Sequence, residues 1–189
     1  MPFLKSMSDK AGPGAVFEAY PDIYGHWSRM SQALMLGDSP LSPAERELML
    51  AFAAGCAGCD FVYVAHSEVA YARGVTEGLL GQMLADLDQA PVDDKLKPLL
   101  AYVRKLMISP GEMRQADADA VFAAGWEERA LQDAIAITAR AAFMQRLVEG
   151  HGFIPMTQEV ARKRAEERVE KGYVDLYPGL RDGAGSRAD

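Results

Sequence analysis

Between its proline and glycine breaks, this chain places apolar residues three and four apart, the period of an α-helix, and no stretch alternates as a strand does. An all-α fold follows. The spacing predicts a first helix over 19–37, carrying Ile23, Trp27, Met30, Leu34 and Met35, with Gly37 as a left-handed cap. Ser42-Pro43-Ala44-Glu45 then reads as a helix start: Ser42 caps, Pro43 suits the first helical position, and Glu45 reaches back to close a capping box. That helix runs into Gly55-Cys56-Ala57-Gly58-Cys59, where two glycines permit a sharp turn. Further helices are expected from Asp60 to near Gly74, from Thr76 to Leu87, over 96–107 and, after a second Ser-Pro start at Ser109-Pro110, over 116–124. The longest candidate, Glu127 to Glu149, has Gly150 beyond its end and is the expected core helix. Thr157 to Lys171 carries only a thin apolar stripe of Val160, Ala161, Ala165 and Val169, as a peripheral or subunit-crossing helix does. The expected organisation is an arm over 1–18, a helical domain over 19–155, a helical extension over 156–180 and a polar, glycine-rich flexible tail over 181–189.

A length of 189 residues, 49% of them apolar, suits one globular domain with an extension. The net charge of -7 argues against nucleic acid, whose phosphates require clustered Lys and Arg. The opening ten residues lack the apolar run of a secretory leader and no later stretch reads as a membrane span, so the expected location is the cytoplasm, with no membrane partner. Two cysteines three residues apart are too few for a disulfide scaffold; in a cytoplasmic chain they read as redox-active or metal-binding, with inert burial as the alternative. A structural zinc site takes four ligands, and only His66 stands near as a third, so no metal is expected.

The run Glu45-Arg46-Glu47 through Gly55-Cys56-Ala57-Gly58-Cys59 to His66 resembles the AhpD-like, carboxymuconolactone decarboxylase superfamily, in particular its peroxidase-related branch. Ala142-Phe143-Met144-Gln145-Arg146-Leu147 before Gly150 is similar to a later helix of the same branch, so the likeness spans about residues 20–155. The resemblance implies an AhpD-like helical bundle, a homo-oligomer, and reduction of organic hydroperoxides with electrons from a dithiol-carrying reductant protein and no bound cofactor.

One departure stands out. Twelve residues from Glu47 and seven before His66, Cys59 falls on the first cysteine of the family's CxxCxxxH, and Val62 occupies the second cysteine's position. Cys56 supplies a partner one turn earlier instead. On a continuous helix, residues seven apart are separated by about 10 Å, so Cys59 and His66 are not expected to touch. At a helix amino end, the Cys59 thiolate is expected to be favoured by the dipole, opposed by Asp60.

The resemblance implies Cys59 as attacking thiol, Cys56 as resolving thiol, and Glu47 and His66 moving protons through a water. Without it, Glu47 reads as a solvated helix residue and His66 as a core histidine. His26 and His151 read as surface or structural, and Tyr63 and Ser67 as packing or channel-lining. Two alternatives accompany the peroxidase reading: a catalytically silent binding or structural subunit, motivated by Val62, and a lactone decarboxylase-like acid-base enzyme in which Glu47 and His66 work without thiols.

Overall fold

The computed structural model describes residues 1–177, and among them the regular structure is entirely helical. Nine α-helices follow one another: α1 (Pro13–Ala19), α2 (Pro21–Leu36), α3 (Pro43–Cys56), α4 (Asp60–Ala72), α5 (Leu79–Ala85), α6 (Leu96–Ile108), α7 (Gln115–Ala123), α8 (Glu128–His151) and α9 (Gln158–Lys171). The all-α expectation holds. None of these helices is long and apolar enough to cross a membrane. The proposed tail over 181–189, and the last three residues of the proposed extension, lie outside the described residues.

Helix α3 is the centre of the bundle, packed against α2, α4, α5, α6 and α8. Its start is the predicted capping box: Ser42 Oγ accepts from the Glu45 amide at 3.2 Å, and the Glu45 carboxylate accepts from the Ser42 amide at 2.7 Å. Every residue from Arg46 to Ala54 is buried. Such all-round burial explains why this helix is apolar on nearly every face. The core helix α8 also appears as expected, burying Leu131, Ala134, Ile137, Ala141, Met144 and Val148.

Four local expectations are corrected. The amino-terminal arm contains α1, which buries Val16 and Phe17 and stacks Phe17 on Tyr24 at 4.8 Å between ring centres. Gly37 is extended, not left-handed; the α2 carbonyls of Leu34 and Gly37 instead accept from Arg46 Nη1 at 2.8 and 3.0 Å, so a side chain does the capping. Helix α5 begins at Leu79, after Gly78 in a left-handed conformation at φ 84°. Helix α8 continues through Gly150 to His151, and Gly152, at φ 65°, is the residue that turns the chain.

Helix α9 is peripheral, as its thin apolar stripe predicts, with Ala161 and Ala165 its buried residues. It starts on Thr157, whose hydroxyl accepts from the Val160 amide, and packs lengthwise on α4 through Ala161 and Ala165. Small residues at this contact let the helices approach closely. Glu68, 3% exposed on α4, receives Gln158 Nε2 at 3.0 Å and Arg162 Nε at 3.2 Å from α9. The helix is therefore one wall of the interior.

Candidate active site

Helices α3 and α4 form an antiparallel pair around the Ala57-Gly58 turn, with Gly58 at φ 68°. Glu47 lies ten residues before Ala57 and His66 eight after Gly58, about 15 and 12 Å of helix. The two side chains therefore come level. Glu47 Oε2 accepts from His66 Nδ1 at 2.8 Å, directly and with no room needed for the expected water. Glu47 is fully buried and His66 is 4% exposed.

Three residues that sequence reasoning missed complete the cluster. Tyr173, two residues beyond α9 and placed by Gly172 at φ 70°, donates its hydroxyl to Glu47 Oε1 at 2.6 Å. Arg168 of α9 donates from Nη1 to His66 Nε2 at 3.3 Å. Arg140 of α8, 3% exposed, lies between the Trp27 and Tyr173 rings, 4.9 and 4.8 Å from their centres, and donates from Nε to Ser31 Oγ at 3.1 Å. Arg140 had a sequence signal: a cation beside Ala141 on the helical face that also carries Ile137 and Met144. Arg168 and Tyr173 had none, since a charged run and a lone tyrosine are ordinary surface features.

Burial alone would raise the Glu47 pKa, but the interactions with His66, the Tyr173 hydroxyl and the Arg168 charge outweigh it and hold the carboxyl at about 2. His66 moves down, to about 4: burial, with the charges of Arg168 and Arg140, overcomes the pull of Glu47. Near neutral pH the ring is uncharged, its Nδ1 hydrogen is given to Glu47, and its Nε2 lone pair accepts from Arg168 Nη1. Burial also raises the Tyr173 pKa, which keeps its hydroxyl a donor.

His66 and Arg168 line a cavity of about 870 Å³ between α1, α4, α8 and α9. Its inner end is His66, Arg140, Arg168 and Tyr173; its walls include Phe17, Trp27, Val62, Val69 and Met144. Neither cysteine lines it. Val62 does, in the position where the resemblance calls for a second cysteine.

The cysteines sit elsewhere. Cys56 ends α3, half-buried against the larger core that also contains Leu50 and Leu87. Cys59 is fully buried at the cap of α4, in a second cluster with Phe61, Val62, Met144 and Phe153. Both are free thiols. Burial pushes each to about 11; for Cys59 the Val62 amide works against this, while Glu149 and Asp60 add to it. The expected dipole activation is thus overturned by desolvation.

The remaining candidates are structural. Ser67 Oγ donates to the Tyr63 carbonyl at 2.7 Å, and neither residue reaches the cavity. His26 pairs with Arg29 at the surface, and His151 Nδ1 lies 2.7 Å from the Leu147 carbonyl near the end of α8. Among the described residues, no three His, Cys, Asp or Glu side chains converge as metal ligands do.

A helical bundle with a buried glutamate-histidine pair at a helix hairpin defines the class of protein: an AhpD-like fold. Residues 21–98 match the carboxymuconolactone decarboxylase family. The structure is similar to that of an uncharacterized peroxidase-related protein from Silicibacter sp. TM1040, at 25% identity and a TM-score of 0.63 over 70% of each chain. It is also similar to the alkylhydroperoxidase AhpD core of an uncharacterized peroxidase-related protein from Ralstonia eutropha JMP134, at 22% identity and a TM-score of 0.70 over 78% of each chain. A comparison with proteins of curated function found no match. Residues 21–98 thus resemble the carboxymuconolactone decarboxylase family, and the chain as a whole has an AhpD-like fold.

Proposed function

We propose that this protein is a thiol-independent acid-base catalyst acting on a small carbonyl compound. The observation that carries this reading is that His66, bonded to Glu47 at Nδ1 and to Arg168 at Nε2, lines a cavity that neither thiol lines. In the proposed step, Arg168 Nη1 turns from His66 Nε2 to the carbonyl oxygen of the substrate, the freed Nε2 takes a proton from a carbon next to that carbonyl, and the electron pair moves onto the carbonyl oxygen. Arg168 stabilises the resulting oxyanion, Glu47 stabilises the imidazolium and fixes its tautomer, and Tyr173 holds Glu47 in place. The proton then returns to another atom of the same intermediate, so no oxidant or reductant is consumed. Decarboxylation of a carboxy-lactone, the chemistry in the name of the matched family, is a related case: loss of carbon dioxide leaves the same oxyanion, which takes its proton from solvent water.

The experiment is turnover of carboxymuconolactone and of a panel of unsaturated lactone acids, with solvent deuterium incorporation followed by proton NMR. Cys56→Ala/Cys59→Ala protein is expected to keep the activity and His66→Gln protein to lose it. Loss of activity with the double cysteine variant, in a protein that remains folded, contradicts the proposal.

The peroxidase reading is retained as a second one because the CxxC brackets the α3–α4 turn and both solved relatives are described as peroxidase-related. In it, the Cys59 thiolate attacks a hydroperoxide, releasing an alcohol and becoming a sulfenic acid; Cys56 condenses with it, releasing water, and a dithiol reductant restores both thiols. Its test is the loss of both thiols when reduced protein meets one equivalent of an organic hydroperoxide. Retention of both thiols contradicts it.

A further inference from the structure

Arg140 is the one guanidinium of the cluster whose hydrogen bonding is incomplete. It is 3% exposed, its Nε is given to Ser31, and its Nη1 has no hydrogen-bond partner in the protein. The residue lines the inner end of the cavity. A buried guanidinium donor without an acceptor is costly, because its desolvation is uncompensated. The position is also rigid: Trp27 and Tyr173 hold the group between their faces.

The charge around it has the same direction. Among the described residues, neither Arg140 nor Arg168 lies within ion-pair distance of a carboxylate. Glu47 is the carboxylate of the cluster, but it stands behind His66 and Tyr173, with one oxygen committed to each. His66 is neutral, so two guanidinium charges face one carboxylate charge and the inner end carries an excess of one positive charge. Beyond it the walls turn apolar, with Phe17, Val62, Val69 and Met144, and the mouth carries charges of both signs, including Asp9, Lys10, Glu18 and Arg164.

We propose that the cavity binds an organic monocarboxylate with an apolar body, its carboxylate taken by the Arg140 guanidinium beside Trp27 and its body lying along Val62, Val69 and Met144. This deepens the acid-base reading by naming the substrate class, and rests on it for the placement of the reacting carbon near His66. The carboxylate completes the hydrogen bonding of Arg140 and cancels the excess charge. A planar guanidinium with a free donor is the side chain that matches carboxylate geometry. An uncharged analogue of the same shape leaves the charge uncancelled. A volume of about 870 Å³ is ample for a chain of eight carbons.

The test uses octanoate and octanamide as probes, titrated calorimetrically into the full chain. Octanoate is expected to bind about 10- to 100-fold more tightly than octanamide, the range of a charge-assisted hydrogen bond. Arg140→Met is expected to abolish that preference and Arg140→Lys to keep part of it, while His66→Gln, which removes the proposed base, preserves it. Equal affinity for the two probes, no binding of octanoate at millimolar concentration, or a preference that survives Arg140→Met overturns the proposal. If Arg140→Met does not fold, Trp126→Phe protein leaves Trp27 as the sole tryptophan beside Arg140. Its emission is expected to change with octanoate and not with octanamide, and an unchanged emission under saturating octanoate overturns the placement. Binding is read here without turnover. Selective binding with no proton-transfer activity would sink the acid-base reading alone, and activity without selective binding would sink the carboxylate subsite alone.

Discussion

The two ends of α3 bury ionisable groups and obtain opposite results. Near its start, Glu47 is withdrawn from water completely, yet its carboxyl is held at about 2, because His66 and Tyr173 each give it a hydrogen bond. Past its other end, Cys59 is equally withdrawn, but it lies among Phe61, Val62, Met144 and Phe153, and its pKa rises to about 11. Desolvation penalises both charged forms; donors decide whether the penalty wins. The proposed chemistry is therefore placed at the glutamate-histidine end of the hairpin, where donors hold the charged form.

The largest expected contrast is in activity. His66→Gln is expected to reduce turnover of an accepted substrate about 10²- to 10⁴-fold, the range for loss of a positioned general base. Replacing both cysteines is expected to change kcat/KM by less than about threefold, since neither group touches the cavity. Equal losses from the two changes would erase the distinction between the ends.

Next in size is thiol reactivity. A pKa of about 11 instead of 9.0 leaves about 100-fold less thiolate at pH 7, so alkylation by iodoacetamide should be slow and should accelerate with pH up to about 11. Cys56, half-buried, should react before Cys59. Val62→Cys sharpens the comparison by placing a thiol on the cavity wall, one turn from His66 and facing two guanidinium charges. That thiol should alkylate at least about tenfold faster than either native cysteine, because cations favour the thiolate. Mass spectrometry of the labelled sites checks both expectations.

Acid stability should separate the ends in the other direction. His66 has a folded pKa of about 4 against an ordinary 6.5, so between these values the unfolded chain binds a proton that the folded chain does not, and stability falls as pH falls. Below 4.5 Glu47 adds to the loss, since its folded pKa of about 2 makes protonation favour unfolding. His66→Gln should flatten the dependence between pH 6.5 and 4 in denaturant titrations. Cys59→Ala should leave the slope unchanged.

The smallest effect is expected from Tyr173→Phe. It removes one donor from the buried Glu47 carboxylate, which should lower stability by about 1–3 kcal/mol. The loss should shrink as pH falls below 4.5, because the missing donor served the ionised Glu47, whereas a packing defect costs the same at every pH.

Much of the fold was legible because its signals are local. The capping box at Ser42, the turn at Gly58 and the apolar period of α8 each act over a few residues, and each appears where the spacing predicted it. Glu47 and His66 were legible only through the family resemblance, since by themselves they read as a solvated helix residue and a core histidine. Arg168 and Tyr173 were not, because they reach the site only through the packing of α9 on α4, more than a hundred residues beyond His66 in the case of Arg168. The expected dipole activation of Cys59 failed for a related reason: that argument uses one helix, whereas the desolvation of Cys59 comes from α8 and from Phe153 as well.

The central claim is that the chemistry lies at Glu47 and His66 and not at the thiols. Turnover of a single accepted substrate by Cys56→Ala/Cys59→Ala protein, beside His66→Gln protein of equal folded fraction, tests it most directly. Near-normal turnover in the first and loss in the second is the predicted result. Loss in the first with retention in the second would contradict it and return the function to the cysteine pair.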